Sequence, residues 1–495
     1  MKKVIEILLF AVFLIASNVG YSGTIDPPYK VGTWPGFCSA AISYTFDDGC
    51  SNQFAIAIPM FNEFDFDLTL YPVINWGLNW TALQNAASDG HEIGSHTMSH
   101  PSLSGLTIER QTAELVNSQN TINTNIPSRQ CLTLAYPYCV PSDRTLTEQY
   151  YIAARHCQGY IEGSTPSDFY RISSLICGSS GSVKTEANFI SKFESTANSN
   201  GWCVLLLHGI DGDGGYSPVP SETLRASLEY LDARRSTFWV STFVNVVRYI
   251  RERDDVSVTE SLNQNTSITL QVTDTLDNEI YDYPVTIRRS LPQNWPYANV
   301  SQNGRVVDTS IVDVNSTKYV MFDVVPDGGD VVLLKAPAPP TGLTATAGYA
   351  TVLLDWNDSN EVDLVGYNIY RSITSGSEYS QLNSSLLSSS NYEDVNIPQN
   401  TTYYYVVTAV DMNSIESGYS NEVFGGLYGD FTGNNIVEID DFSVFLYFWL
   451  KNDCDKTAGA YLNEDCRVNF YEFAVLAENW LQVPYVEQTG YINKR

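Results

Sequence analysis

The sequence predicts a multidomain protein: an α/β domain with a parallel sheet comes first, all-β modules follow, and a small all-α unit lies near the C-terminus. Three observations lead to this fold class. Apolar runs alternate with helical segments over residues 26–256, which is the pattern of a parallel sheet covered by helices. Residues 256–335 are rich in Val, Thr and Ile between turn residues, and a later segment repeats itself. The 495 residues suffice for three or four domains of roughly 100–200 residues each.

Composition and charge narrow the class of protein. The apolar content of 43% and the aromatic content of 13% are typical of globular domains. The formal net charge of −29 disfavours nucleic acid or an anionic membrane as partner, because both need a basic face. The negative charge can also be explained by solubility alone, without any particular partner.

The first residues resemble a secretory signal. Lys2 and Lys3 precede an apolar run at residues 7–16, and small residues precede Gly23, so we expect a signal peptide at residues 1–22. The apolar run is short for a bilayer span, and no later stretch reaches about 18 apolar residues. We therefore predict a soluble protein that is secreted or held at the cell surface.

Nine cysteines in an exported chain permit disulfides, although the number is odd. Seven lie between Cys38 and Cys203, and their pairing cannot be determined from the sequence. The other two, Cys454 and Cys466, are expected to pair. A cysteine metal site is disfavoured because no Cys-x-x-Cys motif occurs.

The α/β domain is predicted element by element from its apolar runs and helical periodicity. Trp80 opens one helix, which Gly90 follows. The expected strands are residues 40–44, 68–73, 132–136 and 202–208, and the expected helices are residues 80–88, 108–121 and 244–253.

The first expected strand leads into two adjacent carboxylates. Asp47 and Asp48 stand where this strand stops, and Gly49 allows a sharp turn after them. In a barrel of parallel strands, the chemistry lies at the carboxyl ends of the strands. Two adjacent carboxylates suggest a division of labour, in which one binds a metal and the other takes a proton from water.

Two histidines four residues apart complete the pattern. His96 and His100 would lie on one face of a helical turn, and Pro101 would give His100 an extended backbone. One carboxylate and two imidazoles form an open three-ligand site, at which zinc would lower the pKa of a bound water to about 7.

A third histidine, His208, ends an apolar strand and is followed by a glycine-rich loop. It could simply close a core strand. Its position at a predicted strand end, like that of the two aspartates, favours a functional role. His91 and His156 have no such context and are expected to be structural.

These motifs resemble those of the polysaccharide deacetylases, the NodB-homology carbohydrate esterases. Thr45-Phe46-Asp47-Asp48-Gly49 matches the first motif of that family, and the segment from Gly90 to His100 matches the second. The resemblance covers roughly residues 30–255 and implies a distorted (β/α) barrel. It also implies a metal-dependent hydrolysis of acetyl groups on a polysaccharide.

The resemblance assigns a role to each site residue. Asp48, His96 and His100 would bind Zn²⁺ or another divalent transition metal, with Asp47 as the general base. The Leu-x-His motif is matched at Leu206 to His208, which makes His208 the general acid and places Leu206 beside the acetyl methyl group. The backbone N–H of Tyr138, in Tyr136-Pro137-Tyr138, would help to hold the oxyanion.

The third motif departs from the family pattern. The family has an arginine that pairs with the catalytic aspartate, and here that position is Ala135. Arg171 is the candidate for a replacement cation, and Asp168 is the candidate for the residue that orients His208.

Two all-β modules are expected next. Residues 256–335 form a small β domain, for which a spacer role is favoured over sugar binding. A proline-rich linker begins the second module, residues 336–424. Its runs Val352-Leu353-Leu354-Asp355-Trp356, Tyr367-Asn368-Ile369-Tyr370-Arg371 and Thr401-Thr402-Tyr403-Tyr404-Tyr405-Val406-Val407 resemble those of a fibronectin type III module. Trp356 would be core, and Tyr403 or Tyr405 would supply the hydroxyl of a tyrosine corner.

Residues 425–484 contain a repeated motif, and residues 485–495 form a tail. Asp441-Phe442-Ser443-Val444 recurs as Glu472-Phe473-Ala474-Val475, each after a loop of calcium type. This unit resembles a dockerin. A disulfide-closed helical hairpin without an ion is the alternative. The candidate Ca²⁺ ligands are Asp430, Thr432, Asn434, Glu438 and Asp441 in the first loop, and Asn463, Asp465, Asn469 and Glu472 in the second. Tyr461 replaces the first ligand of the second loop, which is therefore the weaker site. The resemblance implies a cohesin-like scaffold as partner.

The sequence thus predicts an exported, metal-dependent carbohydrate deacetylase (residues 23–255) that carries accessory modules. Two alternatives remain open. One is an acetylxylan O-acetyl esterase that uses the same site. The other is an inactive carbohydrate-binding or adhesion protein, supported by Ala135.

Overall fold

The computed structural model describes residue 25 and residues 27–348, 351–361, 363–395, 403–425, 438–449, 468–478 and 480. The expected signal peptide at residues 1–22, the Cys454–Cys466 pair and most of the calcium-type loops lie outside these residues. Among the residues that the structure describes, no helix is long and apolar enough to cross a membrane.

The first half of the chain alternates strands and helices, as predicted. A strand β1 at Tyr29–Val31 precedes this domain. The domain contains β2 Ala40–Asp48, α1 Ile58–Glu63, β3 Thr69–Pro72, α2 Trp80–Asp89, β4 Glu92–Ile93, α3 Ile108–Asn125, β5 Thr133–Ala135, α4 Arg144–Tyr150, β6 Ala153–Arg155, β7 Leu175–Ile176, α5 Glu186–Asn198, β8 Trp202–Leu207, α6 Ser221–Asp232, β9 Phe238–Val240 and α7 Phe243–Asp255.

The strands of this domain close into an irregular barrel. One parallel sheet has the order β4-β3-β2-β8-β7, and β9 also pairs with β2. The β5–β6 pair joins both ends of that sheet through parallel bridges, Ser95 to Leu134 and Arg155 to Ile172. The distorted barrel is confirmed, and short strands and isolated bridges account for its irregularity.

Buried apolar residues on β2 and β8 hold the barrel against its helices. The β2 strand is buried over all but its last residue, and all six residues of β8 are buried. The outward-facing Ile42 and Tyr44 pack with α5 and α6 residues such as Phe189 and Leu228 in one core cluster. Continuously apolar strands are expected where a parallel sheet is covered on both faces.

The small β domain contains two antiparallel sheets, and it shares a core with the barrel. Its strands are β10 Ser257–Asn263, β11 Ser267–Thr273, β12 Val285–Ser290, β13 Tyr297–Gln302, β14 Arg305–Val307, β15 Thr309–Val314, β16 Thr317–Val324 and β17 Val331–Ala336. The sheet orders are β10-β11-β17-β13-β14 and β1-β12-β16-β15. Strand β1, which precedes the barrel in sequence, therefore belongs to this domain's sheet. One cluster of buried residues includes Trp202 and Tyr249 of the barrel together with Ile287 and Leu333.

The next module also contains only strands among its described residues. They are β18 Thr344–Gly348, β19 Thr351–Asp355, β20 Leu364–Ser372, β21 Ser380–Gln381, β22 Asn391–Val395, β23 Tyr404–Asp411 and β24 Val423–Phe424. They form sheets of three and four strands. Trp356 is buried as predicted, and the Tyr405 hydroxyl donates to the Asp394 carboxylate at 2.9 Å.

Each copy of the C-terminal repeat forms a helix, as predicted. These helices are α8 Ile439–Phe448 and α9 Phe470–Glu478. Phe445 and Phe448 of α8 form a small core with Val468 and Leu476.

Candidate active site

The two adjacent aspartates end β2, and a backbone turn brings both carboxylates to one place. Successive strand residues normally point to opposite faces. Here Asp48 has φ 74° and Gly49 has φ 75°, so the alternation breaks at the strand end. As a result, Asp47 Oδ2 and Asp48 Oδ1 both lie 3.7 Å from His96 Nε2.

The two histidines do not lie on a helical turn, so that prediction is wrong. The segment is irregular, with positive φ at Thr97 (70°) and at His100 (58°), and His100 is therefore not extended before Pro101 either. The His100 N–H donates to Thr97 Oγ1 at 3.0 Å, which stabilises this loop. The imidazoles still converge, with ring centroids 4.7 Å apart.

Asp48, His96 and His100 form a group that fits a divalent metal ion. Their ligand atoms lie within 4.8 Å of one another, and His100 Nε2 is 3.9 Å from Asp48 Oδ1. His96 Nδ1 lies 2.8 Å from the Ala135 carbonyl oxygen, to which it donates, so that Nε2 is left free as a ligand.

The electrostatics of the three residues also fit a cation. Asp48 Oδ1 is buried without a hydrogen-bond partner among the described residues. Burial and the neighbouring charge of Asp47 raise the pKa of Asp48 to about 7, and burial lowers the pKa of His96 to about 4. Uncharged imidazoles and a carboxylate oxygen without a hydrogen-bond partner in the described part of the chain fit the donor set of an open divalent metal site.

The cation that pairs with Asp47 is Arg155, and the expectation of Arg171 is wrong. Arg155 Nη2 lies 2.6 Å from Asp47 Oδ2, and Nη1 donates to Thr45 Oγ1 at 2.9 Å. Arg155 is only 1% exposed. Burial alone would raise the pKa of Asp47, but the positive charge of Arg155, together with the nearby histidines, lowers it below its usual range. Asp47 Oδ1 has no hydrogen-bond partner within the described residues.

The strand register explains how Arg155 reaches Asp47. Ala135 on β5 and Arg155 on β6 are partners in the parallel register, so their side chains lie on the same face of the sheet. The arginine that contacts Asp47 therefore lies on β6, one strand along the barrel from Ala135 on β5. The signal in the sequence was a charged residue at the end of the apolar run of residues 151–154.

His208 follows β8 and faces Asp47. His208 Nε2 lies 3.8 Å from Asp47 Oδ2, and burial lowers the pKa of the imidazole. The expectation that Asp168 orients this ring is wrong, because Asp168 accepts two hydrogen bonds from Arg144 Nη1, at 2.6 and 2.7 Å. His208 Nδ1 is buried without a partner in the part of the chain that the structure describes.

Leu206 and Tyr138 lie at the same end of the barrel. Leu206 is in register with Thr45 on β2, so it shares a sheet face with Asp47. Tyr138 has φ 54° and is 67% exposed, with its ring centroid 4.5 Å from that of His100.

A disulfide lies beside the site. Cys139 and Cys157 are bonded. They lie just after the ends of β5 and β6, next to Tyr138 and two residues from Arg155. Sequence reasoning could not identify this pair among the seven N-terminal cysteines.

The candidate calcium ligands are mostly beyond the described residues. Asp430, Thr432, Asn434, Asn463 and Asp465 lie outside them. The Glu438 N–H donates to the carboxylate of Asp441, which is buried in the first turn of α8. Asn469 directly precedes α9 and Glu472 lies within it.

The fold and the site together define a class: a parallel barrel with a group of three possible metal ligands at its strand ends, beside a buried carboxylate and a third imidazole. Residues 37–154 match the family model described as "Polysaccharide deacetylase". This match supports a polysaccharide deacetylase domain in the barrel, from a family of carbohydrate deacetylases and esterases.

Curated relatives are similar over parts of this chain. A gellan lyase from Bacillus sp. is 26% identical over 333 residues, which is 63% of this chain and 13% of the relative. An amylopullulanase from Thermoanaerobacterium thermosulfurigenes is 32% identical over 165 residues, 32% of this chain and 8% of the relative. The chain thus spans only a small part of the length of both relatives.

Solved structures show further similarities. A family 4 acetyl xylan esterase from Clostridium thermocellum, in complex with a cobalt ion, is 16% identical and covers 42% of this chain and 89% of its own, with a TM-score of 0.32. A fibronectin-III-like protein from Clostridium thermocellum is 37% identical and covers 19% of this chain and 94% of its own, with a TM-score of 0.17.

Proposed function

We propose that this protein is an exported, metal-dependent carbohydrate deacetylase that hydrolyses N- or O-acetyl groups of a polysaccharide. The observation that carries the proposal is the convergence of Asp48, His96 and His100 beside a carboxylate with a free oxygen, Asp47 Oδ1. Sugar binding alone would not need this arrangement.

The metal would be held by Asp48 Oδ1 and by the Nε2 atoms of His96 and His100. A divalent ion bound there supplies an acidified water and polarises the acetyl carbonyl. This N₂O donor set suits zinc, and also cobalt, nickel or iron.

The protein's own residues would then move the protons. Asp47, kept ionised by Arg155, accepts the proton of the attacking water at its free Oδ1. His208 donates a proton to the leaving amine or alcohol. The Tyr138 N–H stabilises the developing oxyanion, and Leu206 contacts the acetyl methyl group.

Arg155 also bears on the alternative of an inactive binding protein. That alternative rested on Ala135, since an aspartate without a cation would be a poor base. The contact of Arg155 with Asp47 at 2.6 Å supplies the charge from another strand and favours the enzyme. The acetylxylan esterase alternative remains part of the proposal, because both reactions use the same groups.

The accessory parts of the proposal follow from the sequence. A signal peptide at residues 1–22 would direct export. The module at residues 336–424 would be a fibronectin type III spacer, and residues 425–484 a dockerin-like unit that binds Ca²⁺ and a cohesin-like scaffold.

The test is acetate release by the zinc-loaded full chain from acetylated xylan, chitin oligomers and peptidoglycan. We expect release that a chelator abolishes and that Asp47→Asn removes without loss of bound metal. The substrate that responds decides between ester and amide. Absence of release from every substrate, with metal bound, would refute the proposal for these glycans.

A further inference from the structure

A buried glutamine lies between the two residues that would move protons in the proposed reaction, and that reaction gives it no role. Gln53 has 0% of its surface exposed. Its Nε2 donates to the backbone oxygen of Asp47 at 2.5 Å and to that of His208 at 2.9 Å. One side-chain amide therefore joins the end of β2 to the residue that follows β8.

The same side chain carries a polar atom that is not satisfied. Gln53 Oε1 is buried without a hydrogen-bond partner among the residues that the structure describes. A buried polar atom of this kind costs stability and needs an explanation. Gln53 also begins a short π-helix, Gln53–Ala57, that leads into α1, and such segments are frequent at functional sites. Both features indicate that this glutamine serves the site and not only the fold.

The two carbonyls that Gln53 contacts are not equally fixed by other groups. Asp47 lies within β2, in register with Tyr71 of β3, and its carboxylate contacts Arg155 at 2.6 Å. His208 lies one residue beyond β8, and its Nδ1 is buried without a partner within the described ranges. Gln53 is therefore placed to hold His208 to the fixed end of β2.

The residue before Gln53 strengthens this link. The side chain of Asn52 donates from Nδ2 to the Ile210 backbone oxygen at 2.9 Å, and its backbone N–H donates to Asp213 Oδ2 at 3.3 Å. Ile210 and Asp213 belong to the glycine-rich loop that follows His208. Contacts from two consecutive residues thus fix the chain at His208 and just after it.

We propose that Gln53 is a positioning residue, which holds His208 at the distance from Asp47 at which one residue can take a proton from water and the other can give one to the leaving group. The present distance from His208 Nε2 to Asp47 Oδ2 is 3.8 Å. This inference rests on the proposed deacetylase function. It adds a residue that acts through the general acid.

The test uses the dependence of the rate on the leaving group. An acetylated sugar needs a proton from His208 as the bond from the acetyl carbon to the sugar oxygen or nitrogen breaks, whereas the 4-nitrophenolate of 4-nitrophenyl acetate leaves without one. Gln53→Met keeps a side chain of similar length but removes both N–H donors. For the metal-loaded full chain, we expect kcat on acetylated xylo-oligosaccharides or chitin oligomers to fall about 100-fold, within the range that a general acid contributes. The kcat on 4-nitrophenyl acetate should change little.

Gln119 provides a matched control on the same barrel. Its Nε2 also joins two backbone oxygens, those of Cys131 at 2.9 Å and Tyr150 at 2.5 Å. These residues precede β5 and β6, at the end of the barrel opposite to the site. Gln119→Met should lower the thermal unfolding midpoint as Gln53→Met does, but should leave both rates as in the wild type. If Gln53→Met does not fold, Gln53→Asn keeps a shorter amide and should show the same selective loss to a smaller extent.

A double variant tests whether Gln53 acts through His208. Residues that act as a unit have effects that do not add, so Gln53→Met combined with His208→Gln should be no slower than His208→Gln alone. A combined loss equal to the product of the two single losses would overturn the inference. An equal loss on both kinds of substrate, or no loss on either, would also overturn it, while the deacetylase proposal stands.

A measurement without catalysis separates this inference from the proposed function. The chain has five histidines, so the NMR signals of ¹³C-labelled imidazoles can be resolved, and the His208 signal is the one missing in His208→Gln. Gln53→Met should shift this signal, whereas Gln119→Met should not. A shifted signal supports the positioning of His208 by Gln53 even if the wild type releases no acetate and the deacetylase proposal fails. An unchanged signal would overturn the inference in either case.

Discussion

Replacing Arg155 removes the only cation in direct contact with Asp47 among the described residues. Arg155→Ala leaves a carboxylate that is only 2% exposed without its ion pair. It also leaves Thr45 Oγ1 without the donor at 2.9 Å. The carboxylate can respond by taking up a proton, in which case it no longer serves as a base.

The cost can be gauged from burial. Breaking a buried ion pair by removing one partner typically costs about 3–5 kcal/mol, because the remaining charge is uncompensated. Both partners are almost fully buried, so solvent cannot replace the lost contact. We therefore expect the free energy of unfolding to fall by about that amount. Separately, kcat/KM at pH 7 should fall by about two orders of magnitude or more, because a protonated Asp47 cannot supply the roughly 10²–10⁴-fold contribution of a general base.

The assay is the pH dependence of acetate release. Since Arg155 lowers the pKa of Asp47, its removal should move the acidic limb of the kcat/KM profile to higher pH. Part of the activity should therefore return at alkaline pH. A purely structural defect would reduce activity equally at all pH values.

A swap provides the sharpest control. Ala135 and Arg155 are register partners, so Ala135→Arg combined with Arg155→Ala puts a guanidinium back on the same face one strand away. This double variant should recover activity over Arg155→Ala, whereas Arg171→Ala alone should resemble the wild type. Wild-type activity and pH profile in Arg155→Ala would refute the reasoning.

Three further predictions concern metal, disulfide and acid. Metal affinity, measured by titration of the apoprotein, should fall about tenfold per pH unit below about 7, because protons compete with the metal for Asp48. Asp48→Asn should abolish metal binding. Metal binding that does not depend on pH would contradict this prediction. Replacing Cys139 and Cys157 by Ser should lower the free energy of unfolding by about 3 kcal/mol in urea titrations. The same change should reduce kcat. An unchanged free energy of unfolding and an unchanged kcat would show that the disulfide does not support the site. Burial lowers the pKa of His91 from 6.5 to about 4, so the folded state binds fewer protons. The stability this provides is complete above about pH 6.5 and is lost as pH falls towards 4, by roughly 3 kcal/mol; a His91→Gln variant should lack this slope.

Local sequence was sufficient for the parts of the site that depend on strand ends. An apolar run followed by Asp47, Asp48 and Gly49 predicts both the strand and its turn. The expected helical turn at His96 and His100 was wrong, because the positive φ values at Thr97 and His100 are imposed by contacts within the folded loop. Spacing along the chain does not reveal such values.

Contacts and strand pairings between distant parts of the chain could not be predicted from the sequence. Arg155 meets Asp47 from 108 positions away, through a register between two short strands that no local pattern specifies. Tyr29–Val31 likewise pairs with a strand more than 250 positions later. The order of apolar and polar residues around positions 29–31 does not indicate which later strand they pair with.

The shared core of the barrel and the small β domain has a consequence for how this chain can be divided. Trp202 and Tyr249 are buried in the same cluster as Ile287 and Leu333, and β1 ties the segment before the barrel into the second domain's sheet. A fragment that stops at Asp255 would lose the partners of β1 and expose this apolar surface to water. We therefore expect residues 25–336 to be the smallest unit that folds on its own, and a gene fusion or a protease cut to be tolerated better after Ala336 than after Asp255.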